Sequence, residues 1–277
     1  MVGVVTESTA DIPAEMAERL GIAIVPSYVV FGSQTYRDGV ELSREEFYAK
    51  LGTSRVIPTT ATPPPATYEV VYRRLAETTD EIISIHLAGN LSALYKVAQV
   101  AARNVAQARI AVLDSQQVTM GYGWLVVAAA EAAQRGESLD QIVGLVEQLK
   151  NRTRVLAVLD TLEFLHRGGR VGWAKAMIGT LLRIKPIIEV RQGQVALVER
   201  ARTRHRSLER LVGQIRALGP LERAIVLHTN SPAEARWLSN QLETLLQGWQ
   251  PLETQAGVTI ASHAGPGAVG IACITRE

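Results

Sequence analysis

The chain has 277 residues, 47% hydrophobic but only 5% aromatic, with 29 Lys and Arg against 27 Asp and Glu for a formal charge of +2. That length fits about two domains, and the near-neutral balance leaves no electrostatic footprint for DNA or RNA, while scarce aromatics favour an Ala, Val, Leu and Ile core over a base-stacking platform. Cys273 is the only cysteine, which excludes an intrachain disulfide and a cysteine metal cluster and fits a reducing compartment.

Residues 2–6 read as an apolar strand, and Ser8-Thr9-Ala10-Asp11 leads into a helix whose first turn carries Pro13, where the missing N–H costs nothing. No basic segment precedes an apolar stretch here, since the first cation is Arg19, so no secretory signal is read. Residues 22–25 form a second strand, and residues 28–40, with Gly32, Asp38 and Gly39, read as strands joined by turns. Ser43 with Glu46 three positions on is a capping box for the next helix. Thr62 before Pro63 starts another, running to about residue 78. Residues 82–87 are a buried strand, after which Leu94, Val97, Ala98, Ala101 and Val105 mark one face of a helix. Residues 110–113 are a strand, 120–135 a mostly apolar helix ended by Gly136, and 138–150 a connecting helix. This alternation predicts a mainly parallel sheet covered by helices on both faces.

The second half has a different texture. Residues 153–159 and 185–191 are strand-like, and Arg191-Gln192-Gly193-Gln194 between Val190 and Val195 is a hairpin turn that predicts antiparallel pairing. Residues 224–227, 258–260 and 269–274 supply further strands, with helices near 204–217 and 232–246. The fold class expected is therefore α/β in two domains, residues 1–150 with the parallel sheet and residues 151–277 as an α+β unit with a mixed or antiparallel sheet. The longest apolar runs, such as 124–130, fall far short of the ~18 residues of a membrane span, and the expected location is cytoplasmic.

Three polar patches stand out against this apolar background: Thr59-Thr60-Ala61-Thr62-Pro63, Gly89-Asn90-Leu91-Ser92, and Ser262-His263-Ala264-Gly265-Pro266-Gly267. Together they offer hydroxyls, an imidazole and tight turns, a chemistry suited to a small anionic head group. Ser92 follows a strand and opens a helix, where free N–H groups favour an anion, or it simply caps that helix. Thr62 reads as an N-cap, which leaves Thr60 the freer hydroxyl. His263 is a ligand donor or a loop histidine bonded to backbone.

Arg200, Arg202, Arg204, Arg206 and Arg210 crowd the start of the helix near Thr203. They form a solvated face or, because the helix dipole opposes cations there, they answer an external anion or an acidic partner. Arg167-Gly168-Gly169-Arg170 is a second basic turn, with a helix C-cap as its plainer reading. No nucleophile elbow, phosphate loop, zinc motif or complete dinucleotide fingerprint occurs, so no cofactor or metal is expected. A Ser/His hydrolase built on Ser92 and His263 would need an orienting carboxylate, for which Glu7 and Asp114 are the candidates.

The opening Val5-Thr6-Glu7-Ser8-Thr9-Ala10-Asp11-Ile12-Pro13 resembles the strand and "DSTADLP" loop of the DegV family. The likeness continues through residues 59–64 ("TSQPS"), 85–95 ("LSGTY"), 113–121 ("DS…SMG"), and 165–171 with 184–187 ("RGGRI…IKPI"), and ends with Arg202-Thr203-Arg204 and residues 263–267. What the resemblance implies is a fatty-acid-binding (FakB-like) subunit, not catalytic on its own. It would hold a long-chain fatty acid such as palmitate in an apolar tunnel near the domain junction and present it to a separate ATP-dependent (FakA-like) kinase subunit. The same resemblance assigns the carboxylate to Thr60, Ser92 and His263, and phosphoryl transfer or partner contact to Arg202, Arg170 and Arg204. It implies no nucleic acid and no membrane span, with transient contact at a membrane surface. The hydrolase and a regulatory protein with a vestigial pocket remain as alternatives. Glu7 for Asp, Ala61 for Ser, and Ala93-Leu94 for Gly-Thr depart from the family pattern.

Overall fold

The computed structural model describes residues 1–54, 56–171, 184–246 and 251–276. Four short apolar segments, β1 (Gly3–Glu7), β2 (Ile22–Val25), β6 (Glu81–His86) and β7 (Arg109–Asp114), pair in parallel in the order β2-β1-β6-β7. Helices α1 (Ala14–Leu20), α3 (Pro65–Ala76) and α4 (Leu94–Arg103) connect them, as the alternation predicts. Between β2 and α3 the chain makes a three-stranded antiparallel sheet, β4-β3-β5, from β3 (Tyr28–Phe31), β4 (Gln34–Arg37) and β5 (Thr59–Ala61). α2 (Arg44–Thr53) lies between β4 and β5 in sequence and starts with the Ser43/Glu46 capping box, both reciprocal bonds of which form.

The second half builds a six-stranded sheet, β10-β9-β8-β13-β11-β12, from β8 (Thr153–Val158), β9 (Lys185–Arg191), β10 (Gln194–Ala201), β11 (Leu221–His228), β12 (Leu252–Gln255) and β13 (Val269–Thr275). All its pairs are antiparallel except β11 with β12. The β9–β10 turn has φ of 51° at Gln192 and 72° at Gly193, the double positive pair that matches the twist of a two-residue hairpin. α8 (Arg204–Ala217) and α9 (Pro232–Leu242) carry their apolar sides onto one face of this sheet, with Leu211, Ile215 and Leu238 fully buried.

Between the two large sheets runs α5 (Met120–Gln134), with 13 of its 15 residues buried. A helix apolar all round belongs inside, and this one packs against β1 and β6 on one side and β8 and β13 on the other. The Trp124 indole N–H donates to the Ala272 carbonyl at 3.1 Å, tying α5 to the larger sheet. α6 (Leu139–Arg152) then leads directly into β8. No helix among the described residues is long and apolar enough to cross a membrane.

Three local expectations are corrected. Residues 258–260 are not a strand but the start of α10 (Val258–Ala264). The β-branched run favours a strand by propensity, yet Val258 and Ala261 are wholly buried against Phe47 and Tyr48 at helical spacing, and tertiary packing wins. Thr62 is not an N-cap, because α3 begins at Pro65 with Pro64 in the cap position. The Pro63-Pro64-Pro65 run holds the chain extended and delays the helix. The helix expected over 232–246 is α-helical only to Leu242 and continues as a 3-10 turn, Glu243–Leu246. β12 is not signalled by the sequence pattern and α7 (Glu163–Gly168) only by the double glycine at its end, and both are short.

Candidate functional site

An apolar channel lies on the face of the six-stranded sheet turned toward α5 and α10. It consists of two cavities of about 120 and 90 Å³ that share Val118, Ile188, Val190, Ile260 and Ala264. From Val195 on β10 the lining passes Val190 on β9, Ala157 on β8 and Gly270 on β13 to Leu227 on β11. Ala157, Gly270 and Leu227 are register partners in one cross-strand row, and the small pair at its centre leaves the floor open. At ~4.8 Å per strand, the four spacings from β10 to β11 amount to about 19 Å.

Among the described lining residues, exposed polar surface is confined to the end near β10. Thr60 arrives on β5, Ser92 on the turn between β6 and α4, and His263 on the last turn of α10, and all three line the same cavity. Thr60 Oγ1 lies 3.1 Å from His263 Nε2. Ser92 Oγ accepts the Leu94 N–H at 3.3 Å, so the hydroxyl serves the start of α4, and among the described residues its own proton has no acceptor. His263 is pushed down from 6.5 to about 4, first by burial and then by the nearby Arg170 guanidinium, and its ring is neutral at pH 7. Its Nδ1 has no hydrogen-bond partner among the described residues and faces Gly168, where a Cβ would collide with the ring. Gly169, with φ of 68°, is the left-handed cap of α7, so the plain reading of the double glycine holds for it while Gly168 makes room for the imidazole.

Arg170 stands at the mouth, exposed, with Nη1 donating to Gly168 O at 2.5 Å. Beyond it an open recess of about 360 Å³ shares Thr60, Arg170 and His263 with the channel and adds Arg167. The other two sequence-named arginines are elsewhere. Arg204 is held by Glu234, Nε to Oε1 at 2.9 Å, and by the Gly267 carbonyl at 2.6 Å, so its anion is internal rather than external. Arg202 is exposed and lines neither cavity.

The triad considered from sequence is not assembled. No hydrogen bond joins Ser92 to His263 among the described residues, and Asp114 is occupied by the Gly89 and Gln116 N–H groups at 3.1 and 2.9 Å. Glu7 bonds a different histidine: its Oε2 lies 2.6 Å from His86 Nδ1, and His86 Nε2 lies 2.7 Å from Ser84 Oγ. This serine–histidine–carboxylate line is completely buried, and none of the three side chains touches the channel. β6 is buried on both faces from Ile82 to His86, and the two-residue period of side chains along a strand puts Ser84 and His86 on the same face. Among the described residues no group of three or more His, Cys, Asp or Glu is placed to hold a metal ion.

Comparison with known proteins places this geometry in a family. A DegV domain-containing protein of Streptomyces coelicolor is 35% identical over 279 residues, covering 99% of each chain. Among solved structures, a DegV family protein from Thermus thermophilus, described for its fatty acid binding, superposes with a TM-score of 0.91 at 34% identity and 99% coverage of both chains. DegV of Bacillus subtilis, described as a fatty acid binding protein, gives 0.90 at 32% identity, again with 99% of both chains covered. The family model described as "Uncharacterised protein, DegV family" matches residues 1–276, and the chain belongs to the DegV family.

Proposed function

We propose that this protein binds a long-chain fatty acid in the channel, with the carboxylate at Thr60, Ser92 and His263, and presents it in the cytoplasm to a separate ATP-dependent kinase subunit that forms the acyl-phosphate. The observation that carries the reading is an aliphatic channel with one polar end. An all-trans chain advances ~1.25 Å per carbon at ordinary bond lengths and angles, so about 19 Å corresponds to roughly 16 carbons. The solved relatives described as fatty acid binding support the ligand class.

Burial of about 14 methylenes contributes on the order of 11 kcal/mol before the costs of association. One hydroxyl bond to a carboxylate adds roughly 1.5–3 kcal/mol. The tail therefore supplies most of the affinity and the hydroxyls fix where the carboxylate stops. Arg170 at the mouth supplies positive charge beside the head group, and exposed Arg202 is available to the kinase subunit. In this reading the protein needs no cofactor and turns nothing over alone.

Native mass spectrometry of freshly purified protein, compared with the denatured sample, tests the binding. A non-covalent excess matching a fatty acid is expected. A sample with no excess that also fails to take up added palmitate would overturn the reading.

A further inference from the structure

The five residues Glu7-Ser8-Thr9-Ala10-Asp11 are the most recognisable motif of the sequence, yet none of them lines the channel. Each polar end of this segment instead grips an element that delivers one head-group residue. Glu7 Oε1 accepts the Leu87 N–H at 2.8 Å, at the start of the turn that carries Ser92. Ser8 Oγ donates to Asp38 at 2.8 Å and accepts the Ser27 N–H at 3.0 Å. Ser27 and Asp38 flank the β3–β4 hairpin, and Thr60 pairs with Val29 of that hairpin.

Asp11 makes the third connection, across 246 positions. Its Oδ1 accepts the Gly257 N–H at 2.7 Å, at the N-cap of α10, the helix that carries Ile260, His263 and Ala264. Its Oδ2 accepts the Thr119 hydroxyl at 2.6 Å, next to Val118 of the channel wall. The fit is close: a Cβ on Gly257 would lie 2.5 Å from Asp11 Oδ1. Asp11 has φ of 56°, a left-handed conformation that Asp tolerates and that turns its carboxylate toward α10. Arg44 Nη2 stands 3.7 Å away, and Arg44 Nη1 donates to the Gln255 carbonyl just before α10.

We propose that residues 7–11 are the common support of the head-group site and that Asp11 is a positioning residue for His263, fixing the N-terminus of α10 and through it the place of the imidazole. The proposal rests on the fatty-acid reading above. A site whose three donors come from three separate elements keeps its geometry only if those elements are fixed to one another, and a single buried segment reaching all three does this.

The test separates recognition of the head group from burial of the tail. Affinities for palmitate and for methyl palmitate, which has the same chain without a carboxylate, are measured for wild type, Asp11→Asn and Gly257→Ala. Asp11→Asn keeps the side chain's shape, and Gly257→Ala disturbs the same contact from the other side, so misfolding of one leaves the other to decide. Wild type is expected to prefer palmitate by at least tenfold. In the variants that preference falls at least fivefold while methyl palmitate binding changes less than twofold. An unchanged preference, or equal weakening of both ligands, would overturn the positioning role alone. Wild type that binds neither probe would overturn the fatty-acid reading itself.

Discussion

Thr60 Oγ1 and His263 Nε2 stand 3.1 Å apart although 203 positions separate them in the chain. Their meeting joins the small antiparallel sheet to α10, and it occurs at the one polar end of an otherwise aliphatic channel. Because burial pushes the imidazole down to about 4, the pair carries no full charge at pH 7 and has only hydrogen bonds to offer.

The same contrast between tail and head sets the size of the first effect. On the proposed reading, Thr60→Ala and Ser92→Ala each remove one hydroxyl bond to the carboxylate, roughly 1.5–3 kcal/mol, and should weaken palmitate binding roughly ten- to hundredfold. Phosphorylation by a partner kinase should suffer more, since it depends on where the carboxylate sits. Isothermal titration with palmitate checks the affinity, and a thousandfold loss in either variant would contradict the division of roles.

The parallel sheet, the hairpin and the buried α5 were legible because each follows from periodicity or a turn residue: α5 is apolar all round, and Gly193 supplies a positive φ. Thr60, Ser92 and His263 were legible as polar groups in apolar surroundings and Arg170 as part of a basic turn, and all four line one cavity. What was not legible depends on distant partners. Val258-Thr259-Ile260 is helical because Phe47 and Tyr48 cover its inner side, and nothing near it in sequence says so. The sequence leaves Arg204 between a solvated face and an external anion or acidic partner, because Glu234, 30 positions on, is not a neighbour until the fold forms.

Two buried groups should give opposite pH slopes in one window. His263 falls from 6.5 to about 4, so the unfolded chain binds more protons between those values and stability rises with pH. Asp11 is raised from 3.8 to about 6, by burial first and with some contribution from Asp38, against the lowering by Arg44, Thr119 and Gly257. The folded chain then holds the extra proton, and stability falls as pH climbs from about 4 to 6. Asp38 is raised too, again by burial, and adds to the same fall. At 1.36 kcal/mol per unit each main effect is on the order of 3 kcal/mol. Urea unfolding of His263→Gln at pH 4 to 7 should expose the falling slope, and that of Asp11→Asn the rising one. Identical profiles for both variants would refute the assignment.

Cys273 is fully buried on β13, and burial pushes its thiol up to about 12. A neutral, enclosed thiol is a poor nucleophile. The native protein should leave a disulfide reagent unreacted over an hour and titrate one thiol per chain once unfolded in guanidinium. Fast labelling of the native protein would show that β13 opens readily.

Glu7 offers the sharpest stability test. One fully buried carboxylate accepts from Leu87 N at 2.8 Å and Tyr122 OH at 2.9 Å, and contacts His86 Nδ1 at 2.6 Å. His86 in turn meets Ser84, and Ser84 accepts the Tyr72 hydroxyl at 2.8 Å, so a single removal strands a chain of polar groups that have no exposure to solvent. Glu7→Ala should cost about 3–5 kcal/mol, because it leaves the buried Leu87 N–H, the Tyr122 hydroxyl and the His86 ring without their hydrogen-bond partner. Glu7→Gln keeps one acceptor oxygen and the same length, and should cost about 1–3 kcal/mol. Denaturant unfolding at pH 7 measures both. A loss under 1 kcal/mol for Glu7→Ala would mean that water reaches this network, and would reopen Ser84 and His86 to chemistry that their burial now excludes.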